Sequence, residues 1–529
     1  MKTHLTQLLN QAFNETPDNA AFSGLNHTMH YDTLYHNSLK VSHYLSNNTK
    51  TGTVAIMLPN LLTFPVVLFG AWYADKTVTL INPLYTSDEL LKQCLDAQVS
   101  SIIIAKIFTK TLAEIIDKTQ IKTVITVEVG DCQPKLKAYI INSLSHLKYK
   151  TKAINTNGTI THTNLSTILA QPQQNTAPNT FNNDIALLQY TGGTSGVFKA
   201  AILKHKNLFA NIYQLEQWLP KDINSNSIIL TALPLYHIFA LTINCLLFIH
   251  IKGSSVLVLN PREIKQLIAP FKKYKINVIT GVNTLFAVLI RHKNFKQLNT
   301  SSLKAVISGG MPLDKKLADK WQSIVGKPIV QGYGLTECSP VVSAENYDAE
   351  KFSGSVGKPL IDTEIKILDK SQQTLKTGEI GEIVIKGPQV MDNYWQKEKH
   401  KDKAFTEDGY FISGDMGYFD KDGRIFIVGR SKDMMIVSGF NVYPDEVEHV
   451  LNQHPDVIES ACIGIKDDIS GQSIKAFVVK KSKATLTTQT LIDHCKAHLT
   501  HYKIPKTIEW IDVLPKSNIG KILKRKLVD

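Results

Sequence analysis

Between Gln189 and His205 the chain reads QYTGGTSGVFKAAILKH. Thr191, Gly192, Gly193, Thr194, Ser195 and Gly196 precede Lys199 in a stretch that follows the apolar run Ile185 to Leu188. Glycines let backbone N–H groups close on an oxyanion, hydroxyls add donors, and a lysine adds a mobile charge, so the chemistry such a loop offers is phosphate binding. Neither standard spacing fits: Lys199 follows Gly196 by three positions and is followed by Ala200, and Gly192 and Gly193 are adjacent. Read alone, the loop is equally a polar hairpin with a solvated lysine.

Three further motifs carry reactive side chains. QGYGLTECSP (Gln331 to Pro340) joins a glycine turn, a tyrosine able to stack on a base, and the pair Thr336 and Glu337, suited to phosphate and a hard cation. DGYFISGDMGYFDKDGR (Asp408 to Arg424) sets Asp415 in a glycine turn, where it could grip a ribose diol. LPKSNIGKILKRKL (Leu514 to Leu527) puts Lys521 after Gly520 in a C-terminal turn. Singly these read as a loop, a hairpin and a basic tail. Their joint order does not.

The elements that must position them form an α/β chain. Runs such as TVAIMLP, SIIIAKI, TVITVEV, SSVLVLN and NVITGV alternate with helical stretches. Leu208, Ile212, Leu215 and Leu219 recur at helical spacing just after the glycine loop and predict a buried helix face. After about residue 353 the texture changes to short strands and tight turns, a β-rich subdomain, and the last hundred residues mix strands and helices as a small α+β domain. Gly429 to Asp433 is the expected joint. The predicted division is 1–430, with 353–430 as the β-rich part, and a mobile 431–529.

At 529 residues with 43% apolar composition the chain exceeds one core. The net charge of +13, from 59 Lys+Arg against 46 Asp+Glu, favours nucleotides, CoA or acidic lipid. Nucleic acid is not favoured, because the lysines are dispersed and no recognition motif accompanies them. Six cysteines without C-x-x-C spacing read as reduced cytosolic thiols, no secretory h-region opens the chain, and the run Ile238 to Ile249 is too short to span a bilayer. His494, His498 and His501, with Cys495 nearby, have i, i+4, i+7 spacing and could line one helical face. An amphipathic solvated helix accounts for them better than zinc does.

With these motifs in this order the sequence resembles the adenylate-forming superfamily of acyl-CoA synthetases, adenylation domains and luciferases. Within it the chain most resembles the bacterial long-chain fatty-acid CoA ligases, also through PLYHIFALTINCLLF, GVNTLF, KGPQVMDNYW and VSGFNVYPDEVE. The resemblance implies a large multi-subdomain AMP-binding part with a small C-terminal lid, and the substrates fatty acid, ATP and CoA with Mg²⁺. By the same resemblance the loop Thr191 to Gly196, with Lys199, wraps the β- and γ-phosphates, and Thr191 and Glu337 meet the metal. Gly310, Gln331, Gly332 and Tyr333 form the adenine wall, Thr336 meets the α-phosphate, and Asp415 and Arg430 meet the ribose. Lys521 reaches the carboxylate and α-phosphate, His237 flanks the carboxylate pocket, Lys432 is the hinge, and Gly439 lies beside the pantetheine channel. Without the resemblance, His237 in its apolar run reads as a core histidine.

Ser195, Ala200, Tyr410 and Ser413 depart tolerably from the family pattern, whereas Ile436 stands where some relatives carry a second lysine and is left out of the site. Phe239, Ala240 and the ITGVNTLF run near Gly281 are the expected acyl tunnel. Medium-chain or aryl-acid CoA ligation, carrier-protein loading, and a non-catalytic acyl- or nucleotide-binding protein stay open as alternatives. The retention of Lys521, Glu337, Asp415 and Arg430 argues against the last. Leu136 to Lys152 interleaves Leu136, Tyr139, Ile140, Ile141, Leu144 and Leu147 with basic residues, either as an interfacial helix or as a buried one with snorkelling lysines. The expected location is cytoplasmic, with weak contact to an anionic membrane surface; a homodimer is left open.

Overall fold

The computed structural model describes residues 3–49, 52–149, 151, 154, 160–172, 180–192, 198–396, 398, 403–438, 440–467, 470–482, 484–517 and 520–528. The β-branched runs form strands because both of their faces are covered: Thr53–Met57 and Thr123–Val127 are buried at every position. They belong to a seven-stranded sheet that ends in Ile185–Gly192 and Phe198–Lys204. Its pairings are parallel until the last, Ile185–Gly192 with Phe198–Lys204, which is antiparallel and lies at the sheet edge.

A nine-stranded sheet holds Ile228–Thr231, Val278–Gly281, Ala305–Ser308 and Val330–Gly334 in successive parallel pairs, and Val330–Gly334 then pairs antiparallel with Val341–Ala344. Helices fill the layers around both sheets. TFPVVLFGAWY, Thr63–Tyr73, has no polar face and is buried throughout. Gly70 lets it approach the helix Tyr31–Asn48, since a Cβ there would lie 2.6 Å from Val41. The helix expected after the hairpin is His205–Trp218, with Leu208, Ile212 and Leu215 buried and Leu219 just past its end.

The tight-turn texture after residue 353 becomes a four-stranded antiparallel sheet, Glu364–Leu368, Gly381–Lys386, Phe411–Phe419 and Ile425–Arg430. The C-terminal part is a five-stranded sheet built on the long hairpin Val457–Asp467 and Gly471–Lys480. Pro444–Gln453 and Thr488–His498 contribute Val447, Leu451, Leu491 and Cys495 to the core packed against it. The fold is therefore a large mixed α/β part followed by a small α+β part.

One buried side chain joins the two large sheets. Asn60, at the exit of Thr53–Met57, shares its Nδ2 hydrogens among the carbonyls of Thr231 (3.2 Å), Leu233 (3.0 Å) and Val258 (3.3 Å), while its Oδ1 accepts from Leu235 N at 2.9 Å. This fixes the loop that runs on to His237. Asn60→Ala strands buried backbone groups and should lower the unfolding free energy by about 2–4 kcal/mol, as urea denaturation would measure. A change under about 0.5 kcal/mol would show that the loop is held by other contacts.

Candidate functional site

The register of Phe411–Phe419 against Ile425–Arg430 sets Asp415 opposite Arg430. Arg430 Nε donates to Asp415 Oδ1 at 2.8 Å, and Tyr333 Oη, from the nine-stranded sheet, donates to Oδ2 at 2.7 Å. Asp415 N donates to Ser413 Oγ, which donates to Ile383 O, so the hydroxyl at 413 braces the turn. Burial and then the neighbouring Asp415 push the Tyr333 phenol far up. Asp415 is only 5% exposed, yet each carboxylate oxygen keeps a second lone pair for a diol donor.

A cleft of about 1080 Å³ is lined by Gly310, Gln331, Gly332, Tyr333, Asp415, Arg430, Lys432 and Lys521. Lys521 also lines the adjoining recess with His237, Phe239, Val282, Gly309 and Gly310. The C-terminal turn thus reaches the large part of the chain. Gly520 adopts φ +84° with Thr284 Oγ1 3.0 Å from where a Cβ would sit, a conformation and a proximity that favour glycine. Ser517 N donates to Lys521 O at 2.7 Å, and Lys521 N donates to Ser517 Oγ at 3.1 Å. Burial, then the Arg430 guanidinium, lower the Lys521 pKa, against Asp415, Asp433 and Asp445.

The turn is fastened from behind by a buried ion pair. Lys524 Nζ lies 2.7 Å from Glu448 Oε1, which also accepts from Cys462 N at 2.7 Å. Burial pushes the Glu448 carboxyl up to about 7 while Lys524 pulls it down.

His237 follows the loop fixed by Asn60. Its Nδ1 accepts from Phe239 N at 3.3 Å, which leaves the proton of the neutral ring on Nε2. Burial, then the charge of Lys521, lower its pKa to about 4. Of the expected tunnel residues, Phe239 lines the recess. Ala240 is fully buried and does not, and Gly281 is closed over by Leu285 and Phe286, each 2.8 Å from where a Cβ would sit.

Glu337 and Thr336 occupy the short turn Thr336–Cys338, which packs beside both hairpin strands. Tyr394 Oη donates to Glu337 Oε1 at 2.7 Å, and Lys199 Nζ sits 5.3 Å from the centroid of the Tyr394 ring. Thr191 Oγ1 donates to Lys199 O at 3.4 Å. These five residues do not line the cleft. They are coupled to it by charge, since Glu337 acts on Arg430 and Lys199 on Lys432. Glu337 is 8% exposed and its Oε2 accepts no hydrogen bond from the described residues, which leaves one hard carboxylate oxygen of the kind Mg²⁺ takes as a ligand.

Gln331 spends its side chain structurally, accepting from Leu313 N at 2.9 Å and donating to Ser355 O at 3.0 Å, and its backbone O accepts from Glu345 N at 2.9 Å. Gly310, at φ +79°, has no atom within 4 Å of where a Cβ would be, which leaves that wall open. Gly193, Thr194, Ser195, Gly196 and Gly439 lie outside the described residues. Ile436 is half exposed and outside the cleft lining. His494 bonds to Val450 O at 3.0 Å and Cys495 is buried beneath the helix.

Sequence reasoning missed Tyr394, Asn60 and the Glu448–Lys524 pair. The NYW of KGPQVMDNYW was the available signal for Tyr394, which reaches Glu337 because Ile202 N donates to Asn393 O and Trp395 N to Ala200 O.

Comparisons with known proteins place the chain in a family. Residues 9–395 match the family described as AMP-binding enzyme, and residues 446–521 match the AMP-binding enzyme C-terminal domain. The chain is 41% identical over 531 residues to a long-chain-fatty-acid–CoA ligase of Yersinia pestis, covering 99% of this chain and 94% of that protein. It is 42% identical over 538 residues to one of Salmonella typhimurium, with the same coverage. The crystal structure of ATP-bound MatB from Rhodopseudomonas palustris superposes with a TM-score of 0.84 at 26% identity, covering 98% of this chain and 97% of that one.

The recess geometry is testable without any substrate. His237 should stay neutral at pH 5.5 in imidazole ¹⁵N NMR, and Lys521→Ala should move its titration upward toward 6.5 by removing the second cause of its shift. An unchanged His237 pKa in that variant would separate the two residues.

Proposed function

The chain belongs to the AMP-binding enzyme family, and from that premise we propose that it is a long-chain-fatty-acid–CoA ligase working through an acyl adenylate. The carrying observation is that Lys521 lines both the His237 recess and the cleft of Tyr333, Asp415 and Arg430. One ammonium therefore borders the two places where a carboxylate and a nucleotide would meet.

A carboxylate is a poor electrophile, so its oxygen attacks the α-phosphorus of ATP, the bond to the β-phosphate oxygen breaks, and pyrophosphate leaves. The thiol sulfur of CoA then attacks the acyl carbon of the mixed anhydride, loses its proton, and expels AMP. In the first step Lys521 faces the charge gathering at phosphorus, with Thr336 at the α-phosphate and Thr191, Thr194, Ser195 and Lys199 on the leaving phosphates. Thr191 and Glu337 would hold Mg²⁺, which when bound would supply neutralising charge to those phosphates. Asp415 and Arg430 grip the ribose, and Gly310, Gln331, Gly332 and Tyr333 wall the adenine. His237, neutral and with Nε2–H, flanks the acid without adding charge. The long-chain substrate class rests on the relatives of Yersinia pestis and Salmonella typhimurium, and burial adds about 0.8 kcal/mol per CH₂ only until the floor of an acyl pocket is met.

The division at 430/431 makes the small part a lid turning about Lys432, with Gly439 beside the entering thiol. Lys521 then serves only adenylation. The protein works in the cytoplasm with weak contact to an anionic membrane. No described helix is long and apolar enough to cross one.

Lys521→Ala should lose about 10²–10³ in acyl-AMP formation from ATP, the loss typical of one preorganised donor, while converting supplied acyl-AMP and CoA at near wild-type rate. Pyrophosphate release and thiol consumption report the two steps, and Lys526→Ala should alter neither. Equal collapse of both steps in a folded variant overturns the alternation. Because its pKa is lowered, Lys521 loses its proton at a lower pH than a free lysine does, so acyl-AMP formation should fall on the alkaline side before the thiol step does. A panel of acids of rising chain length tests the substrate class, and best turnover of an aryl acid would overturn it.

A further inference from the structure

The helix Lys135–Lys148 is amphipathic with its apolar side outward. Its inner side is small and polar: Asn142 Oδ1 accepts from Gly130 N at 2.7 Å, Ser145 is 8% exposed, and a Cβ on Gly130 would lie 2.7 Å from Ala138 O. That close approach fixes the rotation of the helix about its axis. Leu136, Tyr139, Ile140, Leu144 and Leu147 point away and are exposed by 76, 73, 50, 62 and 85%. A helix serving only the protein's own core buries such a stripe.

At about 100° per residue, the five side chains span an arc of roughly 140°, with Lys135 beyond one edge and Lys137 and Lys148 beyond the other. The nearby acids are spoken for: Glu128 pairs with Lys106 and His146, and Glu263 with Lys148 at 3.7 Å. We propose that this helix is a docking surface for an anionic lipid bilayer, with the leucines and isoleucine in the acyl boundary and Lys135 and Lys137 at the phosphates. The outward tyrosine, apolar in its ring and polar at its tip, suits that depth. A second copy of the chain fits worse, because symmetric contact would bring the same flanking lysines together on molecules that each carry +13. This surface stands apart from the cleft and does not rest on the reaction proposed for it.

Full-length protein should co-sediment with vesicles of equal phosphatidylglycerol and phosphatidylethanolamine at low salt, less so at high salt, and poorly with phosphatidylcholine vesicles. The triple substitution Leu136→Asp, Leu144→Asp and Leu147→Asp should weaken that binding by at least about tenfold, with the melting temperature and the turnover of a short water-soluble acid unchanged. Equal binding by wild type and triple variant, or equal binding to both vesicle types, overturns the proposal. A clear fall in melting temperature does so as well, by showing that the folded chain covers this face. Lipid-free dimerisation of the wild type that the triple variant abolishes would assign the face to a second copy instead.

Discussion

The arrangement depends on one electrostatic constraint: a lysine carried near the end of the chain must give up water beside an arginine. Lys521 enters a cleft already holding Arg430, and both burial and that guanidinium oppose its charge. What makes the position tenable is Asp415, placed by strand register and held by Tyr333 from a different sheet. The carboxylate is thus a meeting point for three parts of the chain. The docked position of Lys521 is only partly compensated, and an anionic ligand in the cleft would complete the balance that the protein leaves unfinished.

That constraint explains why so many contacts serve placement. Asn60 fixes the loop that ends in His237, Tyr394 holds one oxygen of Glu337, and Ser413 braces the turn around Asp415. Each is a hydrogen bond in a buried or half-buried setting, where leaving a partner unmade is expensive and geometry is correspondingly well defined. The residues facing the cleft can then stay polar and incompletely satisfied without wandering.

Much of this was legible in the letters. Buried strands announced themselves as β-branched runs, the helix after the glycine hairpin as Leu208, Ile212 and Leu215, and the β-rich and α+β segments as changes of texture. The cleft residues came from motifs together with a family resemblance. What stayed hidden has a common physical reason: Asn60, Tyr394 and the Glu448–Lys524 pair act across separations of 57 to 198 residues in sequence, which no local period records. Gln331 shows the converse, a motif residue whose amide turned out to be spent on Leu313 and Ser355. Helical periodicity marked the stripe from Leu136 to Leu147, but only packing against Gly130 decides which way it faces.

The buried pair behind the C-terminal turn has a consequence for kinetics. Lys524 and Glu448 both belong to the small part, and so do Ser517 and Lys521, whose mutual hydrogen bonds close the turn. The reactive ammonium is therefore not a tethered side chain searching a volume. Its conformational search is completed when the small part folds, and the entropy of that search is not met again in each turnover. Under the proposed alternation, arrival of Lys521 in the cleft is a property of the whole small part, with a frequency set by its size, its joint and the surrounding solvent, so the timing of the first step is kept by the motion of a body and not of one side chain.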